Sequence, residues 1–287
     1  MSTILWKRAL VPSSDDAAGD VTWDVYGAAL RVPRALRIPV PDQDLVELPD
    51  PRAYRSLSRA GLLLTAVGLQ SLDVVRPFVA GDPYGVGVYC AIEWGPNDYN
   101  CARQMVDSPP EDFAACYKAL RSAKQYFKML PNVPAAQLAI FLGIMGPMTV
   151  FNHSRLGCLH ALDQAEHDLD GHVVQAALVC SAFSLEDPLL AARTRRASGT
   201  EAVLCEGAAC LVLVPDGHYT DWRATRPEDG RRVFGIASHL VGLALRRESD
   251  AHRPGPVRPR GQRDQGGAQH RAPLTLAHHV PEPGSRG

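Results

Sequence analysis

The chain has 287 residues, of which 46% are hydrophobic and 21% are charged, which is the ordinary mixture of a globular protein. Its formal net charge at pH 7 is −1. A charge so close to zero leaves no global electrostatic footprint for nucleic acid or for an acidic membrane surface, so we expect neither as a partner.

The N-terminal region carries no convincing targeting signal. Its brief apolar patch is interrupted by Lys7 and Arg8, which is unlike a signal peptide. The longest apolar runs, such as residues 139–145, are too short to span a bilayer. We therefore expect a cytoplasmic protein. Residues 1–52 contain frequent proline and aspartate, which predicts one or two strands with long connections.

Residues 111–128 show an amphipathic pattern that predicts a single helix. The residues expected on or near its apolar face are Phe113, Cys116, Tyr117, Leu120 and Phe127.

Residues 130–162 predict a sharp turn from a strand into a helix. A Pro-Asn turn leads into a small-residue helix over 135–142, and a Gly-Pro turn then precedes a β-branched strand at Val150. The apolar positions of the following helix are Leu156, Leu159, Leu162 and Ala165. Such a turn holds one side chain over a sheet edge, where helix-terminal amides favour a developing anion, and the residue at this turn is Arg155.

The end of the chain differs in composition from the rest. Residues 233–245 predict another apolar strand or helix, whereas residues 246–287 are rich in Arg, Pro, Gly, Gln and His without periodicity. Such a segment cannot bury enough apolar surface to offset its ordering entropy, so we expect disorder. The predicted organisation is a folded domain over 1–245 and an Arg/Pro/Gly-rich tail over 246–287.

The seven cysteines fall mostly within apolar patterns and lack the spacing of metal ligands. Reduced, packed thiols are the favoured interpretation, rather than a disulfide framework or a zinc site. Four potential ligands lie close together near the end of the helix predicted after the turn: His167, Asp168, Asp170 and His172. A solvated helix terminus is favoured over a metal site there. We expect neither a metal nor a cofactor.

The stretch around the predicted turn resembles the N-terminal half of β-ketoacyl synthases, the condensing enzymes of fatty-acid and polyketide assembly in the thiolase superfamily. The residues that match the family's pattern are Met129-Leu130-Pro131-Asn132, Ala139-Ile140, Leu142-Gly143, Gly146-Pro147 and Leu159. In the family, a cysteine nucleophile follows this stretch and opens a helix.

Further segments resemble the family in the same order along the chain. Residues 53–69 look like the helix that precedes its V-G-V-x-x-G strand, which residues 85–92 (GVGVYCAI) resemble in turn. Residues 175–183 lie where the family has a strand ending in G-G-A-E, of which only Ala182 is kept, and residues 206–213 look like its (D/E)-G-A-G-x-L-V-L strand. The resemblance implies an α/β fold, a thiolase-like layered α/β/α architecture with the N-terminal half only.

The resemblance places Arg155 at the position of the family's nucleophilic cysteine. A guanidinium stays protonated and offers only donors, so Arg155 cannot be that nucleophile. It either grips a carboxylate or phosphate in the former acyl pocket, or has drifted after catalysis was lost, and the second interpretation is favoured. The family's second-half motifs, such as H-G-T-x-T, do not occur in this sequence.

Ser154 and Cys158 are the other candidate nucleophiles near the turn. Ser154 beside His153 suggests a nucleophile–base pair, but neighbours in a strand point to opposite faces, so a dyad would need a distorted turn. Cys158 falls on a family glycine position within the helix, where we expect it to face the packed core.

The resemblance implies a role in acyl-chain assembly of the fatty-acid or polyketide type. The family includes chain-length factors, which lack the active cysteine and dimerise with an active synthase. We therefore expect a catalytically degenerate partner of a ketosynthase or of an acyl carrier protein with its phosphopantetheine thioester, in a homo- or heterodimer paired through the strand over 148–152. Two alternatives stay open: an acyltransferase that uses Ser154 or Cys158, and a truncated remnant without activity.

Overall fold

A computed structural model of the chain describes residues 2–13, 15–153, 156–215 and 232–245. The strands β1 to β9 in these ranges are Ser2–Leu10, Gly19–Val25, Ala28–Leu36, Val86–Ile92, Met148–Phe151, Ala176–Phe183, Val203–Cys205, Gly207–Pro215 and Arg232–Val233. The helices α1 to α9 are Arg59–Leu69, Leu72–Gly81, Tyr99–Asp107, Phe113–Leu120, Ala123–Met129, Asn132–Leu142, Gly157–Asp170, Pro188–Ser198 and Ser238–Leu245.

A five-stranded mixed sheet in the order β1-β8-β6-β4-β5 forms the centre of the described residues. Strands β4, β5 and β6 are parallel to one another, and β8 is antiparallel to both β6 and β1. Every residue of β4 and β6 is buried, because helices cover both faces of the sheet. Their sequences are accordingly continuous apolar runs rather than alternating ones.

Helices pack on both faces of this sheet. On one face, Leu63 of α1 and Leu138 of α6 share a core with Val88 of β4. On the other face, Leu162 of α7 and Leu240 of α9 belong to a second core. The predicted layered α/β/α fold is therefore confirmed.

The described residues also form a second, four-stranded sheet in the order β2-β3-β7-β9. Strands β2 and β3 form a hairpin through Tyr26 and Gly27, which both have positive φ, at 55° and 79°. Two successive residues with positive φ give a turn that suits the twist of a hairpin. The region before residue 52 therefore contains three strands, more than the one or two that its composition predicts.

Several predicted helices have different limits in the structure. The single helix expected over 111–128 is wrong: α4 ends at Leu120, and the Ser122 side chain, 3.4 Å from the Gln125 N–H, caps α5. Its expected apolar face is also wrong, since Phe113 and Tyr117 are 53% and 52% exposed. The helix expected over 53–69 begins only at Arg59, after a 3-10 turn.

The helix after the predicted turn buries a different face from the one expected. Leu156 is exposed and precedes α7, whereas the buried side chains of α7 include Leu162 and Ala165 of the predicted set together with Cys158 and Leu169. Residues 233–245 are mainly helical. The predicted tail over 246–287 lies outside the described residues, so the domain boundary stays a prediction.

Among the described helices, none is both long and apolar enough to cross a membrane alone; α1 and α2 reach that length only as a pair bent by 73°.

Candidate functional site

The carboxyl ends of three parallel strands meet at one edge of the central sheet. Ala91 of β4 is level with Phe151 of β5 and with Ser181 of β6. The chain therefore leaves the sheet at the same edge after each strand, first at Glu93 and later at Asn152. Ligands of open α/β sheets bind at this edge, so its side chains are the candidates for a functional site.

A cleft of about 450 Å³ opens at this edge. It is lined by the loop after β4, the residue after β5 and the first turns of α8. The lining residues are Glu93, Trp94, Gly95, Asn97, Asn152, Asp187, Leu189, Leu190 and Arg193. The cleft therefore combines two buried carboxyls, one guanidinium and an apolar wall.

Glu93 is the most unusual group in the cleft. Its side chain is only 5% exposed, and its Oε2 pairs with the guanidinium of Arg193, whose side chain is 63% exposed. Its Oε1 is buried and has no hydrogen-bond partner among the described residues. Burial raises the pKa of Glu93 to about 7, and the negative charge of Asp187 adds to the rise while Arg193 opposes it.

Asp187 is also buried, but its carboxylate is fully used by the surrounding structure. It caps α8 by accepting the Leu190 N–H at 2.9 Å, and it accepts the backbone N–H of Asn97 at 3.0 Å and the Tyr99 hydroxyl at 3.0 Å. These bonds attach the loop after β4 to the start of α8. Asp187 thereby fixes the wall of the cleft that carries Arg193.

The turn between β5 and α7 contains the residues that the sequence singles out. Gly146, before β5, approaches the preceding strand so closely that an added Cβ would lie 2.2 Å from the Val86 carbonyl oxygen. His153 is exposed, and its Nδ1 accepts the Leu156 N–H at 3.3 Å. Ser154 and Arg155 lie outside the described residues, so their proposed roles stay predictions.

Cys158 lies in the first turn of α7 and faces the core. It is 3% exposed, and its thiol donates to the Ile236 carbonyl at 2.9 Å. Burial raises the pKa of Cys158 to about 11. Because the thiolate is the nucleophilic form, this environment is unfavourable for a catalytic cysteine.

The acidic and histidine residues near the end of α7 do not converge on one point. Asp168 is buried and accepts the Tyr89 hydroxyl at 2.6 Å, whereas His167 and Asp170 are exposed. Burial and this contact raise the pKa of Tyr89. The described part of the chain contains no group of three or more residues that could hold a metal ion.

Glu93, Asp187 and Arg193 lie in none of the motifs that the sequence offers. A signal for Glu93 exists, because a carboxylate directly after a fully apolar strand is placed at the ligand-binding edge of a parallel sheet. Arg193 lies on α8, one hundred residues further along the chain, and only the fold brings it to Glu93.

Comparison with solved structures identifies the fold. A type II polyketide synthase acyl carrier protein in complex with its ketosynthase, bound to the hexaketide, matches with a TM-score of 0.50 and 17% identity, over 72% of this chain and 63% of that one. A ketosynthase in complex with its chain length factor from Xenorhabdus doucetiae also gives a TM-score of 0.50, with 14% identity over 76% of this chain and 58% of that one. The chain has a ketosynthase-like fold.

The predicted resemblance is thus confirmed at the level of the fold. The chain covers about three fifths of the length of these two ketosynthase structures. No protein-family model matches this sequence, and no curated protein matches it.

Proposed function

We propose that this chain is a catalytically degenerate ketosynthase-like protein of acyl-chain assembly, which acts in the cytoplasm as a partner of an active ketosynthase or of an acyl carrier protein. The ketosynthase-like fold supports the pathway type. The two similar structures are complexes of a ketosynthase with a carrier protein and with a chain length factor, which supports the kind of partner.

The positions of the cysteines support the loss of catalysis. Five of the seven are buried. The other two, Cys101 and Cys116, belong to α3 and α4 and not to the turn between β5 and α7. Cys158, the cysteine that follows this turn, has a raised pKa and a hydrogen bond into the core. Covalent acyl transfer needs an accessible, activated nucleophile, and Cys158 does not provide one.

The position of β5 supports a pairing partner. This strand forms one edge of the central sheet and pairs with β4 alone among the described strands. Its first residue, Met148, is 40% exposed, and its other three residues are partly exposed. An unpaired strand edge with apolar side chains is a template for pairing with another chain.

We predict that acyl-carrier thioesters do not acylate the purified protein. Intact-protein mass spectrometry after incubation with these substrates should show an unchanged mass, while an active ketosynthase treated in parallel gains the acyl group. A stable adduct would contradict the proposed loss of catalytic activity and favour the acyltransferase alternative. Its loss in Ser154→Ala or in Cys158→Ala would then name the nucleophile.

We also predict that the protein forms a dimer, either with itself or with a ketosynthase, through β5. Met148→Asp and Val150→Asp should dissociate it, because each places an unpaired charge in a strand contact that lacks water. Val150 also packs against the core, so Met148→Asp is the variant that tests the interface without altering the core.

Light scattering coupled to size-exclusion chromatography measures this effect. Ile140→Asp is the matched control, because Ile140 is apolar and 68% exposed but lies on α6. A monodisperse wild-type monomer, both alone and with a ketosynthase, would defeat the partner proposal.

A further inference from the structure

The pair formed by Glu93 and Arg193 stands where two cavities meet. Both residues line the cleft of about 450 Å³ and also a second cavity of about 280 Å³ beside α8. Among the described residues, Glu93 gives the Arg193 guanidinium its one hydrogen bond and ion pair, so most of its five N–H donors are available. A guanidinium with available donors is a carboxylate-binding group.

The walls beside this guanidinium are apolar. Leu189 is 51% exposed and Trp94 is 56% exposed, and both line the larger cleft. Exposed large apolar side chains beside a charged group fit a ligand with an acidic head and an apolar remainder, because burial of the apolar part adds to the affinity.

The charges of Glu93 and Arg193 determine whether a carboxylate can bind without a change in protonation. With Glu93 ionised, its charge and that of Arg193 cancel. An incoming carboxylate competes with Glu93 for the same guanidinium, and two carboxylates that share one cation raise the pKa of the buried one. Glu186 lines a cavity together with Glu93 and Asp187, and the negative charge of Asp187 acts on Glu93, so Asp187 opposes a second negative charge there.

We propose that this cleft binds a small carboxylic acid with an apolar chain, held by Arg193, and that binding transfers one proton from solvent to Glu93. The protonated Glu93 no longer competes for the guanidinium, and its O–H can donate to the bound carboxylate. The site then holds one cation, one anion and one neutral acid. This inference concerns the isolated chain and does not depend on the partnership proposed above.

Isothermal titration calorimetry with sodium hexanoate tests the proposal on the full chain. Because ionised Glu93 dominates above its pKa of about 7, the affinity should fall roughly tenfold from pH 7.5 to pH 8.5. Titration in two buffers with different heats of ionisation should show the uptake of close to one proton at pH 8.5. Hexanamide has the same chain without the charge, and it should show no proton uptake.

Two variants separate the roles of the pair. Arg193→Gln should abolish hexanoate binding, whereas Arg196→Gln, at an exposed position of the same helix, should bind like the wild type. Glu93→Gln imitates the protonated carboxyl, so it should bind hexanoate with the same affinity at pH 7.5 and 8.5. Thermal unfolding of each variant checks that it is folded before titration.

The proposal is overturned if the wild type shows no saturable binding at millimolar hexanoate and pH 6.5. It is equally overturned if Arg193→Gln binds like the wild type, or if Glu93→Gln keeps the pH dependence.

Discussion

Two buried glutamates, each contacted by one arginine, behave differently in this molecule. Glu206, between β7 and β8, is fully buried, and its carboxylate accepts bonds from Arg59 at 2.8 and 2.9 Å and from two backbone N–H groups, those of Ile38 and Leu185. Glu93 pairs with Arg193 through one oxygen, and its other oxygen has no partner among the described residues.

The difference lies in how completely each carboxylate is satisfied. The bonds of Glu206 connect the start of α1 with the chain segments that follow β3 and β6, so this residue holds elements together. Glu93 connects only to an arginine that is largely exposed. A complete buried network stabilises one conformation, whereas an incomplete one marks a position where a proton or a ligand can act.

The largest effect should come from Glu206→Gln. This change removes the buried charged partner of Arg59, which is 13% exposed and keeps only the half-exposed carboxylate of Asp42, and we expect a loss of about 3 to 5 kcal/mol of unfolding free energy. Urea unfolding measures it. Glu201→Gln is the control, because Glu201 is 93% exposed and its contact to Arg34 is long, at 3.4 Å. A loss for Glu206→Gln as small as that of the control would remove the contrast between the two sites.

Glu93→Gln should have the second largest effect, and it should raise the unfolding free energy rather than lower it. The pKa of Glu93 is raised from 4.5 to about 7, so the neutral form is favoured in the folded chain. This contribution to stability is complete below pH 4.5 and is lost as the pH rises through 7. Glu93→Gln keeps a neutral side chain at every pH and should therefore stabilise the protein at pH 8, by about 2 kcal/mol, with little change at pH 5.

Thermal unfolding of Glu93→Gln and of wild type at the two pH values measures this difference. Glu201→Gln again serves as the control and should show no such pH dependence. If Glu93→Gln is destabilised at pH 8 as strongly as Glu206→Gln, then Glu93 is a structural residue like Glu206.

The sequence predicts the central sheet well because buried parallel strands leave a strong signal. The segments over 85–92, 175–183 and 206–213 are nearly uniform in apolar character, and each one is a strand of the central sheet. The helices on its faces are predicted less accurately. Residues 111–128 carry helical spacing throughout, yet α4 ends at Leu120 and Ser122 caps a new helix.

The cleft itself is not predictable from local patterns. Glu93 and Arg193 are one hundred residues apart, and neither lies in a motif of the resembled family. The sequence motifs point instead to the turn after β5, because the resembled family carries its nucleophile at that position. A single charged residue after a strand becomes informative only when the fold shows what faces it.

Replacement of Asp187 should give the smallest of these changes in unfolding free energy, and it also tests what sets the pKa of Glu93. Asp187→Ala removes the cap of α8 and the bonds to Asn97 and Tyr99, so we expect a loss of about 1 to 2 kcal/mol. Asp98→Ala is the matched control, because Asp98 also caps a helix, α3, through the Cys101 N–H at 2.9 Å. Urea unfolding should show a larger loss of unfolding free energy for Asp187→Ala than for Asp98→Ala, because only Asp187→Ala also removes the hydrogen bonds to Asn97 and Tyr99.

The same variant should lower the pKa of Glu93, since the negative charge of Asp187 is one cause of its rise. The carboxyl carbon shifts of Glu93, followed by NMR between pH 5 and pH 9, report this change directly. The Asp98→Ala protein should titrate like the wild type. An unchanged pKa of Glu93 in Asp187→Ala would mean that burial alone sets it, and that the two carboxylates of the cleft act independently.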